Sequence, residues 1–339
     1  MEVNMSRKIE MYKAIAEGIS QVMENDDKVF IMGEDIGLYG GIFGATTGLL
    51  SKFGSERVKD TPISESAFIG SAVGAASKGF RPIVELMFVD FFGVAMDQIY
   101  NHIAKIHYMS NGNLKMPITI LTAIGGNYSD AAQHSQNLYS LFSHTPGLKI
   151  VVPSNSYDAK GLVISSIEDD NPVIFFFHKG LMGLNWMTLI EESIQEVPES
   201  KYTIPLGKAN IVKKGEDITF ISISRMVYEC LNAAKELDIE GISAEVIDLR
   251  TLVPLDTDTI LNSVRKTGRV IIVDEDYQNF SMSSEIVALI SENLGLSLKT
   301  NPKRIAYPNT PVPYSKVLEK FLLPNKEKIK QTAKNLIGG

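Results

Sequence analysis

Asp60-Thr61-Pro62-Ile63-Ser64-Glu65 is followed by Ala67, Gly70, Ala72, Gly74, Ala75 and Ala76, a run of small residues that closes at Gly79. Proline before a serine and an acid, then a helical pattern, reads as a strand-to-helix turn with one carboxylate at its corner. An acid just after a serine is what any helix start prefers, because it complements exposed N–H groups and the macrodipole. A glutamate held at such a turn, where a neighbouring chain excludes water, also suits proton exchange with a heteroaromatic cofactor nitrogen. Both readings of Glu65 stand on the local sequence.

Upstream, Tyr12, Ile15, Ala16, Ile19, Val22 and Met23 recur at helical spacing, and residues 29–32 form a short apolar run closed by Gly33. A glycine-rich loop over 33–44 follows, then a strand near Arg57 and Val58. Downstream, the pattern predicts a strand at 83–87, a long helix at 94–109, and strands at 118–122, 150–152 and 173–177. Pro153 and Pro172 bracket a further helix. The alternation is that of a parallel sheet covered by helices, so the fold class is α/β. Beyond a polar, poorly patterned stretch, residues 218–223, 227–237, 244–247, 257–264 and 270–273 spell a second strand-helix alternation. The expected organisation is a first domain over 1–188, a linker over 189–204 and a second α/β domain over 205–339.

The chain has 339 residues, 44% hydrophobic and 22% charged, enough for about two domains with separate cores. A net charge of -7 and the lack of a basic block interleaved with aromatics argue against nucleic-acid binding. Neither a signal-peptide pattern nor an apolar run of membrane-spanning length is visible, so no membrane association and a cytoplasmic location are expected. The single cysteine, Cys230, lies among Val227, Leu231 and Ala234 and reads as core packing.

The loop at 33–44 follows a strand, but its glycines lack the G-x-G-x-x-G spacing, and the adjacent Glu34 and Asp35 would repel phosphate. A dinucleotide-dependent oxidoreductase is therefore disfavoured, and no G-x-x-x-x-G-K-[ST] occurs. Among the five histidines, His102 and His107 share a helical pattern at a spacing unsuited to a ligand pair. His134, in Gln133-His134-Ser135 after the Gly125-Gly126 turn, sits in a loop of the kind that carries sites in α/β sheets. Capping or solvent exposure explains it equally well. Phe88, Phe91 and Phe92 suit a core, or stacking on a flat ring. Asp169-Asp170-Asn171-Pro172 reads as a turn, although its oxygens also suit a cation.

Taken together, these segments resemble the beta subunit of the thiamine-diphosphate-dependent component of 2-oxo acid dehydrogenase complexes. The resemblance covers nearly the whole chain. Its motifs include Gly33-Glu34, residues 60–65, Arg81-Pro82-Ile83 after Gly79, Asp97-Gln98, Gln133-His134-Ser135, Pro146-Gly147-Leu148-Lys149 and Asp158-Ala159-Lys160-Gly161. Residues 84–91, Leu138-Tyr139 and Val151-Val152-Pro153-Ser154 are most similar to the acetoin dehydrogenase branch.

The resemblance implies a pyrimidine-type thiamine-diphosphate domain followed by a transketolase C-terminal-like domain. It further implies an alpha2-beta2 heterotetramer, with the cofactor shared between the two kinds of chain and magnesium held by the alpha subunit. Glu65 matches the glutamate that hydrogen-bonds the pyrimidine nitrogen, and His134 the histidine facing the thiazolium and the incoming lipoyl group. Glu34, Ile63 and Phe91 match pyrimidine-side contacts. Ile118, Ser166, Ile167, Asp169 and Asn171 match a structural potassium site. The implied reaction is cleavage of acetoin with transfer of the two-carbon unit to a lipoyl group on the dihydrolipoyl acyltransferase core. Pyruvate or branched-chain 2-oxo acid decarboxylation is the alternative, and a non-catalytic scaffold the reading from another class. The stretch 179–200 departs from the family's connection, with Leu184, Asn185, Trp186 and Met187 inserted before its acidic part.

Overall fold

The computed structural model describes residues 6–187 and 189–338. Two compact units emerge. The first runs to Gly125 and resumes over Phe142–Leu206, and the second takes Gly126–Leu141 and continues from Gly207. Residues 126–141, which the sequence pattern alone places within 1–188, thus group with the C-terminal unit. Among the described residues no helix is long and apolar enough to cross a membrane.

In the first unit six parallel strands lie in the order Lys149–Val151, Val173–His178, Thr119–Ile124, Arg81–Phe88, Val29–Gly33, Val58–Asp60. The central strand Thr119–Ile124 is buried at every position, as a parallel sheet covered on both faces requires. The helices Met11–Asn25 and Ser156–Glu168 pack closely against each other. Gly18 permits the approach, since a Cβ there would stand 2.7 Å from a methyl of Val163. The second helix starts at Asn155, whose side chain accepts the N–H of Asp158 at 2.8 Å.

The long helix expected over 94–109 is broken into a 3-10 turn Val89–Ala95, a π turn Gln98–Ile103 and a short helix Ile106–Met109. The cause is one wide turn: the N–H of Ala104 reaches the carbonyl of Ile99 at 3.0 Å, an i to i−5 bond that shifts the buried face. The stretch expected as the linker is anchored to the first unit. Its strand Glu196–Pro198 pairs antiparallel with Ser6–Lys8. The buried ammonium of Lys160 donates to the carbonyls of Pro198 (2.6 Å), Glu199 (3.2 Å) and Ser200 (3.1 Å) and pairs with Glu17 at 2.6 Å. A buried lysine requires such partners.

The second unit holds a five-stranded sheet in the order Lys303–Tyr307, Val270–Tyr277, Ile218–Ser222, Ala244–Asp248, Asn210–Lys213, with only the last strand antiparallel. Met226–Ile239 and Lys326–Gly338 share one core with it, in which Cys230 is fully buried. Burial pushes its thiol well up, which makes it inert.

Candidate active site

In the first unit, the strands Val29–Gly33 and Val58–Asp60 end side by side, with Gly33 opposite Asp60 on one flank and Glu85 on the other. The chain leaving Gly33 is a succession of tight turns. Asp35, Gly40, Gly41 and Gly44 all have positive φ, and the N–H of Gly37 is held by an Asp60 carboxylate oxygen at 2.7 Å. The chain leaving Asp60 returns to the same edge, where the N–H of Thr61 bonds the carbonyl of Gly33 at 2.9 Å. The carboxyl edge of a parallel sheet is where α/β folds place their ligands.

Glu65 opens the helix Glu65–Ser77 and is half-buried. The capping explanation from local sequence fails in one respect. Ser64 makes no side-chain cap, and its hydroxyl donates to the carbonyl of Pro62 at 3.1 Å. Glu34 lies close to this turn, near enough for the Ser64 N–H to favour its charged form. Burial raises the Glu34 carboxyl above its usual range, and the negative charges of Glu65 and Asp35 add to it, against the Ser64 N–H. Oε1 of Glu34 is buried without a hydrogen-bond partner. Glu34 and Glu65, predicted as partners in one site, are therefore brought together, and one lone-pair-bearing atom between strand end and helix start is left for a ligand donor.

Ile63 stands beside this pair and is 85% exposed, with Leu38 (89%) and Tyr39 (78%) also exposed on the glycine-rich loop. Phe91 packs edge-on against Phe88 at 6.0 Å, and Phe88 against Phe43 at 5.4 Å. Phe43 in turn lies 6.2 Å from Trp186, which extends the same aromatic row. Sequence reasoning did not single out Glu85. It is 1% exposed, and neither carboxyl oxygen has a partner. A Cβ on Gly41 would stand 3.1 Å from both oxygens, so the glycine roofs the acid. Burial pushes this carboxyl up to about 8. An acidic residue inside an otherwise apolar strand was the available signal.

In the second unit, His134 is half-buried within the segment Gly126–Leu141. Ser135, Asn137 and Tyr139 alternate inward around it. A cavity of about 10 Å³, the room of one water molecule, is lined by Ser135, Gln136, Asn137, Glu275, Asp276 and Tyr307, among others. The hydroxyls of Ser135 and Tyr307 are buried there without partners.

The residues expected around potassium are also adjacent. The carbonyl of Ile118 accepts the Val173 N–H at 2.9 Å, and that of Ser166 the Thr119 hydroxyl at 3.1 Å. Arg81 donates to the carbonyls of Ile167 (3.2 Å) and Asp169 (3.0 Å). The Asp169 carboxylate accepts both nitrogens of Asn171 and pairs with Lys149. Burial opposes these contacts, yet they hold its carboxyl below the usual range. Each carbonyl keeps a second lone pair, and the donor set is all oxygen. No group of three His, Cys, Asp or Glu suited to a metal occurs among the described residues.

A parallel sheet with paired acids at its carboxyl edge, followed by a second, mostly parallel α/β unit, defines a two-module α/β chain. Residues 7–184 match the model for the transketolase pyrimidine binding domain, and residues 207–329 that for the transketolase C-terminal domain. The chain is 45% identical to the acetoin:2,6-dichlorophenolindophenol oxidoreductase subunit beta of Cupriavidus necator, over 99% of each chain. It is 46% identical to the Bacillus subtilis protein of the same name, over 98% of each. With the 2-oxoisovalerate dehydrogenase subunit beta of Bacillus subtilis the identity is 43%, over 95% of this chain and 97% of that one. Among solved structures, a split-gene transketolase in an inactive beta4 tetramer superposes with a TM-score of 0.77 at 20% identity, over 98% of this chain and 99% of that one, which shows the shared fold. The chain belongs to the family of beta subunits of the thiamine-diphosphate-dependent component of 2-oxo acid and acetoin dehydrogenases.

Proposed function

We propose that this chain, with an alpha subunit in an alpha2-beta2 heterotetramer, cleaves acetoin and passes its two-carbon unit to the lipoyl group of a cytoplasmic acyltransferase core. The observation that carries the reading is the Glu34–Glu65 pair, with its orphaned, buried Glu34 Oε1. These residues fit the aminopyrimidine half of thiamine diphosphate: Glu34 and Glu65 would hold its polar edge, and Ile63 and Phe91 would supply an apolar one. Bound there, the cofactor supplies the carbanion chemistry.

The chain's own share is proton placement and exclusion of water. Glu65 exchanges a proton with the pyrimidine nitrogen. Glu34, raised by burial and by the neighbouring charge, keeps its proton at higher pH and lets two acids share one site. His134 orients and moves a proton during acyl transfer. Ile63, Leu38 and Tyr39, so exposed on one rim, are surfaces for the alpha chain to cover and dry. Magnesium belongs to the alpha subunit. The all-oxygen cluster of Ile118, Ser166, Ile167, Asp169 and Asn171 suits a potassium ion as structural support, outside the reaction.

The choice of acetoin rests on residues 84–91 and on the two acetoin relatives at 45% and 46% identity. The test is reconstitution with the alpha chain, thiamine diphosphate and magnesium, followed by assay on acetoin, pyruvate and branched 2-oxo acids. Faster turnover on pyruvate or on a branched 2-oxo acid rejects acetoin as substrate. No turnover on any of them rejects the catalytic role.

A further inference from the structure

The segment bearing His134 is held in a strained shape. Asn127 (φ 80°), Ser129 (φ 59°) and Ala131 (φ 60°) alternate in the left-handed region, where residues with a Cβ are disfavoured by about 1 kcal/mol or more each. Such a backbone persists only if its surroundings over-determine it.

The surroundings are carboxylates of the same unit. Glu319 is wholly buried and straddles the loop: Oε1 accepts the Asn127 N–H at 2.6 Å, and Oε2 the Ser129 N–H at 3.0 Å. Oε1 of Glu275 accepts the Gly126 N–H at 2.8 Å. At the far end the hydroxyl of Tyr139 donates to Asp274, and the N–H of Met282 to the Ser140 hydroxyl at 2.9 Å. The hydroxyl of Tyr277 donates to the Gln136 side chain at 3.1 Å, and the Asn137 side chain to the Glu275 carbonyl at 3.4 Å. His134 lies between two anchored ends. Charge-assisted bonds of this kind are about twice as strong as neutral ones.

We propose that Glu319, seconded by Glu275, is a positioning residue: it locks the left-handed turns at 127 and 129 and thereby sets where His134 stands during acyl transfer. This rests on the catalytic reading of His134. Glu319→Gln turns an acceptor toward a donor, so one of the two N–H bonds is lost with little change in volume.

The first readout is hydrogen exchange on the chain without its partner. Glu319→Gln is expected to speed exchange at 127 and 129 by at least tenfold while the sheet strands keep their protection. Unchanged exchange there overturns the proposal. The second is a double-mutant cycle in the reconstituted enzyme. Glu319→Gln lowers kcat about tenfold with unchanged affinity for thiamine diphosphate, and adds nothing once His134→Ala is in place. Losses that multiply independently overturn the positioning role, as does faster exchange with undiminished kcat. If His134→Ala alone is fully active, the reading of His134 fails while the exchange result still judges the tether. Should Glu319→Gln not fold, Glu275→Gln, which loosens the Gly126 N–H and also weakens the ion pair with Arg225, carries the same two measurements.

Discussion

The turn at Glu65 and the segment around His134 solve opposite problems with the same functional group. Around Glu319 and Glu275, carboxylate oxygens are spent on backbone N–H groups of the chain itself. Around Glu34 and Glu85, buried carboxyl oxygens are left without a protein partner. Burying an unpaired carboxylate is unfavourable, so it is either protonated or kept for something that arrives. Satisfied acids hold a loop in place. Unsatisfied ones mark where chemistry or protonation is to happen.

The contrast breaks most sharply at Glu65. We expect Glu65→Gln to lower kcat of the reconstituted enzyme roughly 10²–10⁴-fold, the range of a lost general acid or base, with Tm nearly unchanged. Near-normal turnover would instead favour a scaffold. Glu85 comes next and reads out in stability. Its carboxyl is raised by burial from 4.5 to about 8. A raised folded-state pKa stabilises fully below about pH 4.5 and loses that contribution as pH climbs through about 8. Stability should therefore fall by several kcal/mol across that window, and Glu85→Gln should flatten the Tm profile and raise Tm at pH 9. An unaltered slope in the variant would show Glu85 to be satisfied in solution.

A smaller effect sharpens the comparison within the open pair. Because the charge of Glu65 helps raise Glu34, Glu65→Gln should bring the Glu34 titration down in pH, followed by carbon-13 NMR of labelled glutamate carboxyls. A titration that does not move would separate the two acids. Smallest is the cation. Replacing sodium by potassium should raise Tm by a degree or two through binding to the folded state alone, and Asp169→Asn should abolish the difference. Equal Tm values in both salts would leave these oxygens to Arg81 and Lys149.

Much of this was legible in the sequence where contacts are local. Apolar spacing from Tyr12 to Met23 marked the helix Met11–Asn25, and the run closed by Gly33 marked the strand Val29–Gly33. Glu34 and Glu65, carried by the family pattern, do come together. What was hidden depends on distant partners. The π turn at Ala104 leaves no mark in composition, and apolar spacing over 94–109 therefore reads as one helix. Residues 126–141 join the C-terminal unit through Glu275 and Glu319, well over a hundred positions away, which no local periodicity reveals. Ser64 stands where a cap would, but its hydroxyl turns back to the carbonyl of Pro62, a contact that the helix pattern does not reveal.

The most direct test is a crystal structure of the reconstituted alpha–beta complex with thiamine diphosphate bound. The Glu65 carboxylate is expected within hydrogen-bond reach of the pyrimidine ring nitrogen, about 2.6–3.2 Å, with water excluded by the alpha chain. A cofactor seated elsewhere, with Glu65 facing solvent, would contradict it.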